Sequence, residues 1–414
     1  MNLLIICPHF APDVAPTGEV MTAIVEQWAA QGHRLHVVTA LPWYRGHRIE
    51  QGWDHRLVQT ENTDWGSISR LHPFPTDKSN IPARALAFGG FTGVASAVAG
   101  RSPIRPDAVL AMSPPLIIGL AGWAAARRYR VPFVFNVQDV FPDVAIEVGA
   151  ITGSKVIAAA KWLERFLYLR SDAVTVLSDD LRQNLATKIA GRRPERIRVI
   201  PNFVDTEAIQ PRSRDNSYRR EFGLGDRTVV MYAGNLGYSQ SVDLLIEAAR
   251  RYRDRSDVVF VINGAGSARA GLAATAEGLD NLVWVDLQPK ERLPEVLAAA
   301  DIHTVLLKRG LAASSVPSKM YSILAAARPV LASVDAGTEV ARTVAEAGAG
   351  LTVDPEDHEL FQVALGQMID DADARRAQGA AGRAFVEEWA SPGAVATAYV
   401  DLFSELIDAR RHAT

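Results

Sequence analysis

Short apolar runs alternate with helical patterns from one end of the chain to the other, and this alternation constrains the fold most. One series begins with LLIICP near the N-terminus, and a second begins with TVVMYAG near Thr228. Short, continuous apolar runs separated by helices are typical of strands in parallel sheets that are covered on both faces. The sequence therefore predicts an α/β fold with two parallel sheets.

The length of the chain favours two domains. A chain of 414 residues is too long for one ordinary hydrophobic core. The polar, arginine-rich stretch 206–226 lies between the two series and is the expected linker region. We place one domain at 1–206 and the other at 207–393.

Composition narrows the function classes. A net charge of −3 gives no reason to expect a nucleic-acid partner. The N-terminus has no charged segment of a secretory signal, and no stretch reaches the ~20 apolar residues of a membrane span. The lone cysteine, Cys7, lies in an apolar run and cannot form an internal disulfide. These features predict a cytoplasmic protein. No cluster of residues has metal-ligand spacing, so we expect no metal or cofactor.

Seven stretches carry a specific likeness to a known family. They lie in order at 17–44, 131–143, 200–205, 232–249, 286–303, 316–333 and 347–357, and include IPNFVD, YAGNLGYSQSVDLLIEAA and VPSKMYSILAAARPVLAS. Through them nearly the whole chain resembles the retaining family-4 glycosyltransferases with the GT-B fold. Within that family it is most similar to the colanic-acid and exopolysaccharide types.

The resemblance implies two Rossmann-like domains that face a central cleft. The first would bind the acceptor and be completed by a C-terminal helix over 394–414, and the second would bind the donor. The implied reaction moves a sugar, with retention, from a UDP- or GDP-sugar to a glycan or lipid-linked acceptor in envelope or exopolysaccharide synthesis. The leaving phosphate would help to deprotonate the acceptor, so no protein nucleophile is implied.

In the first half, two loops after strands hold candidate residues. Thr17 and Gly18 begin a helix, where backbone amides favour an anion, although a tight turn alone also explains the glycine. The resemblance assigns this loop to the donor pyrophosphate or to the acceptor. His9 lies just before it and is a candidate for the cleft wall or for a structural role.

Gln138 and Asp139 end another strand, and the resemblance makes them the candidate catalytic residues. Many family members have a histidine where this chain has Gln138, which cannot act as a base. Asp139 is the strongest carboxylate of this half, with a structural aspartate or helix cap as the alternative. Asp143 is a weaker candidate on the same stretch.

The second half has a glycine loop that the resemblance assigns to the donor phosphates. It contains Gly234, Asn235 and Gly237, and the following Gln240. The family often has arginine at Asn235 and lysine at Gln240, so this chain lacks two of the usual cations. Gly264 begins the next loop. The geometry of the turn alone explains a glycine there, whereas the resemblance places it in the wall of the donor site.

Further donor contacts follow the next strands. The resemblance places Leu287 and Gln288 against the nucleotide base through backbone groups. Where the family usually has two glutamates, this chain has Ser314 and Ser322. A serine can donate or accept a hydrogen bond but carries no charge. Ser315, Ser318 and Lys319 then begin a helix, where the lysine opposes the helix dipole and a bound anion would offset that cost.

The same residues are also compatible with two other functions. A sugar-nucleotide epimerase would turn over the donor without an acceptor, whereas a non-catalytic nucleotide-sugar-binding protein would bind it without turnover. The apolar segment 84–100 with Trp43, Tyr44 and Phe91 fits either a lipid-linked acceptor with peripheral membrane association or ordinary core packing.

Overall fold

The computed structural model describes residues 1–45, 47–53, 56–76, 81–143, 146, 153–237, 239–310 and 319–412. It divides into two compact units. The first comprises Met1–Asn202 together with Val395–Thr414, and the second comprises Phe203–Ala394. Each unit is an α/β layered structure with a mostly parallel sheet, so the predicted fold class is confirmed.

The first unit contains eight strands among its described residues. Its elements are β1 (Asn2–Ile6), α1 (Pro16–Ala30), β2 (Arg34–Ala40), β3 (Val58–Thr63), β4 (Gly66–Leu71), α2 (Ile81–Ala99), β5 (Ala108–Ser113), α3 (Gly119–Tyr129), β6 (Phe133–Val137), α4 (Ser154–Arg170), β7 (Ala173–Val176), α5 (Asp179–Lys188) and β8 (Ile197–Val199). The sheet order is β3-β4-β2-β1-β5-β6-β7-β8, and only the β3–β4 pair is antiparallel.

The second unit repeats the same alternation. Its elements are α6 (Ser217–Glu221), β9 (Thr228–Ala233), α7 (Asp243–Arg251), β10 (Val258–Asn263), α8 (Arg269–Thr275), β11 (Leu282–Val285), α9 (Leu293–Ala299), β12 (Ile302–Leu306), α10 (Lys319–Ala325), β13 (Val330–Ser333), α11 (Glu339–Glu346), β14 (Gly350–Val353), α12 (His358–Asp370) and α13 (Ala372–Trp389). The order β11-β10-β9-β12-β13-β14 is parallel throughout.

Central strands such as β6 and β10 are buried along their whole length, which is why they appear as largely apolar runs. The edge strand β3, VQTENT, has no fully buried residue and therefore no apolar signal. The β3–β4 hairpin accordingly lies in a stretch in which the sequence predicts no element, whereas α2 covers most of the apolar segment 84–100.

The last helix, α14 (Pro392–His412), packs on the first unit over most of its length. The indole of Trp28 donates to the carbonyl of Ala396 at 2.9 Å and meets the rings of Tyr399 and Phe403 edge-on. The tyrosine hydroxyl also accepts from the Asn136 amide at 2.7 Å. These contacts tie the end of the chain to α1 and β6.

Candidate active site

Each unit has a cavity at the carboxyl ends of its parallel strands. The strand order reverses between β1 and β5 in the first sheet and between β9 and β12 in the second. Open parallel sheets bind ligands at such reversals because the connecting loops diverge there. Pro8 and Pro114, which follow β1 and β5, line the first cavity, and Gly234 after β9 lines the second.

The second unit's cavity has a volume of about 420 Å³. It brings together five of the residues that the sequence assigns to the donor: Gly234, Leu287, Gln288, Lys319 and Ser322. The Leu287 side chain is 62% exposed, so it offers an apolar surface at the rim. Gln288 is held by Arg292, whose guanidinium donates to its side-chain oxygen at 2.7 Å.

Lys319 is the first residue of α10, and its ammonium faces this cavity's glycine loop. Its Nζ lies 4.0 Å from the centre of the Tyr232 ring, and it would be 3.7 Å from a Cβ placed on Gly234. Among the described residues, no carboxylate pairs with it. Burial desolvates the ammonium and lowers the pKa of Lys319 to about 7. An enclosed, unpaired ammonium is suited to an anionic ligand.

Tyr232 contacts Lys319 and is not among the residues that the sequence assigns to the donor. Its hydroxyl donates to the carbonyl of Asn235 at 2.6 Å, which fixes the start of the glycine loop. Its ring attracts the ammonium of Lys319 through the negative face of the π-system. A tyrosine in a strand fits ordinary core packing equally well, so the sequence carries no signal for this contact.

The remaining glycine-loop residues are engaged within the protein. The Gly237 amide donates to the side-chain oxygen of Gln240 at 2.8 Å, and this glutamine stands where the family has lysine. The amide that the sequence assigns to the donor phosphate is therefore occupied in this structure. Asn235, Gly237 and Gln240 do not line the cavity of about 420 Å³.

Gly264 lies where the loops after β9 and β10 pack against each other. A Cβ on Gly264 would collide with the carbonyl oxygen of Gly234, and a Cβ on Gly266 would collide with that of Leu236. The two glycines let the loops after β9 and β10 touch directly. The glycine pattern is therefore explained by backbone contact.

Replacing Gly264 by alanine should destabilise the second unit by about 1–3 kcal/mol, because the two loops must separate. The matched control is Gly271→Ala in α8, where a Cβ meets no atom within 4 Å. That change should stabilise by about 0.5–1 kcal/mol. Urea denaturation would measure both, and equal midpoints for the two variants would contradict the packing role.

The first unit's cavity is larger, at about 560 Å³, and its wall is predominantly apolar. It is lined by Pro8, His9, Ala40, Trp43, Tyr44, His47, Pro73, Phe74, Thr76, Ala85, Ala87, Phe88, Phe91, Pro114, Pro115, Leu116, Ile117, Phe141, Ala160 and Leu163. Trp43 and Tyr44 thus line the same cavity as Phe91, which lies far along the chain on α2.

Gly18, in the loop that the resemblance assigns to a ligand, packs against His9. Gly18 is buried, and a Cβ on it would lie 2.9 Å from the Cβ of His9. The contact with His9 therefore explains the glycine without a ligand. Thr17 is partly exposed in the first turn of α1.

Gln138 belongs to a buried polar network. Its side-chain nitrogen donates to the Asn136 oxygen at 2.8 Å, and its oxygen accepts from the Asn202 amide at 2.8 Å. Both ends of the amide are used, and Asn136 in turn donates to Tyr399. This arrangement favours a structural role for Gln138 over the catalytic one that the sequence suggests.

Asp139 follows the carboxyl end of β6 and reaches the surface. Its surroundings still desolvate the carboxyl in part, which raises the pKa of Asp139 above its usual range. Among the described residues it has no hydrogen-bond or ion-pair partner. Asp143, in contrast, pairs with Lys188 at 2.8 Å, which explains that carboxylate structurally.

Three predicted donor residues, Ser314, Ser315 and Ser318, lie outside the described residues. Within the described part of the chain, no group of three or more histidine, cysteine, aspartate or glutamate side chains is arranged to hold a metal ion. None of the helices described combines the length and apolar character that crossing a bilayer requires.

Two protein families match the two halves of the chain. Residues 17–202 match the glycosyl transferase 4-like domain, and residues 227–371 match the glycosyl transferases group 1 family. Over 387 residues the chain is 27% identical to WcaI of Escherichia coli K12, whose name assigns it to colanic acid biosynthesis as a glycosyl transferase. That alignment covers 89% of this chain and 92% of the relative.

Solved structures share the fold at low sequence identity. Sucrose-phosphate synthase from Thermosynechococcus elongatus has a TM-score of 0.68 at 16% identity, covering 99% of this chain and all of that one. HepE of Anabaena, in complex with UDP, has a TM-score of 0.66 at 14% identity, with coverage of 98% and 100%. Together with the domain matches and the two Rossmann-like units, this similarity establishes that the chain belongs to the family-4 type of glycosyltransferases with the GT-B fold.

Proposed function

We propose that the second unit binds a UDP- or GDP-sugar and that the chain transfers the sugar, with retention, to a lipid-linked glycan acceptor bound by the first unit. The observation that carries the donor assignment is the unpaired ammonium of Lys319 over the glycine loop. A diphosphate needs positive charge in an enclosed site, and negative charge grows on it as the anomeric bond breaks. The UDP complex of HepE and the name of WcaI support a nucleotide-sugar donor and polysaccharide synthesis.

A screen of nucleotides and nucleotide sugars by thermal shift, followed by turnover with a bacterial lipid extract, tests this function. A transferase consumes donor only with an acceptor and yields a product whose anomeric configuration NMR reports. Turnover without acceptor would favour an epimerase. Tight donor binding without any turnover would favour a non-catalytic binding protein, which the serine at position 322 keeps open.

The apolar first-unit cavity supports a lipid-linked acceptor. Its volume of about 560 Å³ falls in the range of ordinary ligand sites, and its walls come mainly from proline, alanine, leucine and aromatic side chains. A hydrocarbon chain buries well against such a wall, whereas a free oligosaccharide would leave its hydroxyls unpaired. We infer that this cavity holds the proximal part of a lipid carrier.

Helix α4 links this cavity to an exposed surface. Ala160 and Leu163 line the cavity, whereas Val156 and Trp162 are 58% and 66% exposed on the same helix. Exposed large apolar side chains of this kind are typical of helices that lie in a membrane interface.

The charges of α4 favour an anionic lipid surface. Lys155, Lys161 and Arg165 are exposed, while the acidic Glu164 turns inward and accepts from Lys188 at 2.7 Å. Each basic residue near an anionic bilayer contributes roughly 1 kcal/mol. The exposed side of α4 therefore combines apolar and positively charged groups.

We expect the double variant Val156→Glu/Trp162→Glu to bind vesicles containing phosphatidylglycerol at least about tenfold more weakly, since two apolar anchors are lost and charge is added. The matched control, Leu360→Glu/Val363→Glu, changes side chains on α12 that are 49% and 58% exposed. It should bind like the wild type in a sedimentation assay. Equal losses for both variants would refute a specific role for α4.

A further inference from the structure

Asn263 ends β10 with an amide in an otherwise apolar strand. The strand, VVFVIN, is buried along its whole length, and Asn263 itself is 3% exposed. Its partners across the sheet are Ala233 on β9 and Val285 on β11. Asn263 therefore lies between the glycine loop after β9 and the loop that holds Leu287 and Gln288, and it lines the second unit's cavity.

The hydroxyl of Tyr218 determines which way this amide faces. It lies 2.8 Å from the side-chain oxygen of Asn263, and Tyr218 is fully buried on α6. Within the described part of the chain, Asn263 is the one hydrogen-bond partner of that hydroxyl. The hydroxyl must therefore donate to Asn263, because a buried O–H without an acceptor is costly. A flipped amide would present its nitrogen instead and leave the proton of Tyr218 without an acceptor.

The nitrogen of the amide is left for a ligand. Among the described residues, Nδ2 of Asn263 has no hydrogen-bond partner, and it keeps access to solvent. Because Oδ1 is taken by Tyr218, the side chain offers the cavity N–H donors and no acceptor. Such an amide is suited to an oxygen that accepts hydrogen bonds. The ammonium of Lys319, which lines the same cavity, is suited to the same kind of ligand.

We propose that Asn263 is a nucleotide-binding residue of the second unit, and that its Nδ2 donates to an oxygen of the bound nucleoside diphosphate. This inference rests on the proposed function and adds a contact to its donor site. The position between the two loops leaves two sources for the oxygen, which are the nucleoside and the phosphate attached to it. Tyr218 orients the amide without touching the ligand, so it is a positioning residue.

Calorimetry with UDP and GDP tests the contact. Asn263→Asp keeps the size of the side chain and replaces the N–H donors by a carboxylate oxygen, so it should weaken binding at least about tenfold. The matched control is Asn281→Asp just before β11, where the amide donates to the Ala249 carbonyl at 2.8 Å and does not line the cavity. The control should lose stability and still bind like the wild type. Wild-type affinity in Asn263→Asp would overturn the proposal.

A second set of variants keeps the test valid if the added carboxylate disturbs folding. Tyr218→Phe/Asn263→Leu removes both partners of the buried hydrogen bond, which should leave stability close to that of the wild type. This double variant should still bind the diphosphate about 5- to 50-fold more weakly. Unaltered affinity in a folded double variant would refute the contact.

The role of Tyr218 is tested by a double-mutant cycle. Tyr218→Phe alone frees the amide to turn, so it should lower the affinity for the diphosphate. In the Asn263→Leu background the same change should cost no further affinity, because no amide is left to orient. A tyrosine that acts only through stability would have the same effect in both backgrounds, and that result would exclude a positioning role.

Smaller probes identify the oxygen. If the double variant binds uridine and guanosine more weakly by the same factor, the oxygen belongs to the nucleoside. If the loss first appears with UMP and GMP, the oxygen belongs to the phosphate attached to the ribose. Either result supports the contact. A loss that appears only with the diphosphates would contradict the position between the two loops.

NMR of the side-chain amide observes the contact directly. In protein labelled with ¹⁵N-asparagine, the NH₂ signals of Asn263 are those that the double variant lacks, and they should shift when UDP or GDP saturates the site. Unchanged signals together with measured binding would overturn the inference and leave nucleotide binding intact. A wild type that binds neither nucleotide counts against the proposed function itself, and the inference falls with it.

Discussion

Lys319→Ala should weaken nucleoside-diphosphate binding by about 2–4 kcal/mol, roughly 30- to 700-fold. The ammonium is the positive group that the second cavity presents next to Gly234, and it has no carboxylate partner among the described residues. Removing it would leave diphosphate charge uncompensated in an enclosed site. Binding of the bare nucleoside should barely change, because the base is held elsewhere.

The pKa of Lys319 adds a second signature to this experiment. With a pKa of about 7 in the free protein, the side chain is mostly neutral at pH 8 and mostly charged at pH 6. A bound diphosphate favours the charged form, so binding should take up protons at this group at pH 8 and far fewer at pH 6. Affinity should therefore fall as the pH rises above 7.

Calorimetry in two buffers of different ionisation enthalpy measures this proton uptake directly. The difference between wild type and Lys319→Ala isolates the lysine from the titration of the phosphate itself. Lys308→Ala is the matched control, since Lys308 follows β12 but does not line the cavity. If the control weakens binding and Lys319→Ala does not, the donor site must be reassigned to Lys308 and its neighbour Arg309.

Asp139→Asn should lower the turnover rate by roughly 10²-fold or more and leave folding almost unchanged. The substitution keeps the size of the side chain and removes its charge. Asp139 lies just beyond the carboxyl end of β6, and it has no partner within the described structure whose loss would unfold the unit. A carboxylate in this position is suited to contact a sugar hydroxyl or developing positive charge.

The raised pKa of Asp139 gives the expected pH dependence. Partial desolvation favours the neutral form, so the carboxylate needed for turnover is lost at a higher pH than an ordinary aspartate would show. The rate should fall towards acid in the wild type, and Asp139→Asn should lack this component. Steady-state rates across the acidic range, at saturating donor, would measure it.

Asp143→Asn is the matched control on the same segment. Its carboxylate pairs with Lys188, so we expect a loss of up to about 1 kcal/mol in stability and a nearly normal rate. An Asp139→Asn enzyme with a normal rate would show that this side chain is only structural. A loss in both variants would point to a general disturbance of the segment.

The sequence predicted the elements around the sites better than the contacts within them. The resemblance assigned Gly234, Leu287, Gln288, Lys319 and Ser322 to the donor, and all five line one cavity of the second unit. Strand ends are visible in a local apolar pattern, and parallel topology then brings them to the same edge. The β3–β4 hairpin was not predicted, because the exposed edge strand β3 needs no apolar residues and so gives no apolar pattern.

The roles of Gln138, Gly18 and Gly264 show where local patterns stop being informative. Each stands at a position that a ligand or a protein contact explains equally well. The structure supplies the contact: Asn202 and Asn136 for Gln138, His9 for Gly18 and the Gly234 carbonyl for Gly264. These partners come from other loops, so no motif spacing identifies them.

The sequence by itself determined the two α/β halves, the family and the position of Lys319 at a helix start, because these depend on periodicity and on short ordered motifs. Only the tertiary structure placed the Tyr232 ring beside the Lys319 ammonium and showed which atoms of Tyr218 and Asn263 meet. The reason is that such contacts, and the pKa values that they shift, depend on distances between side chains. Distances of a few ångströms are set when strands, loops and helices pack, and the linear order of residues does not contain them.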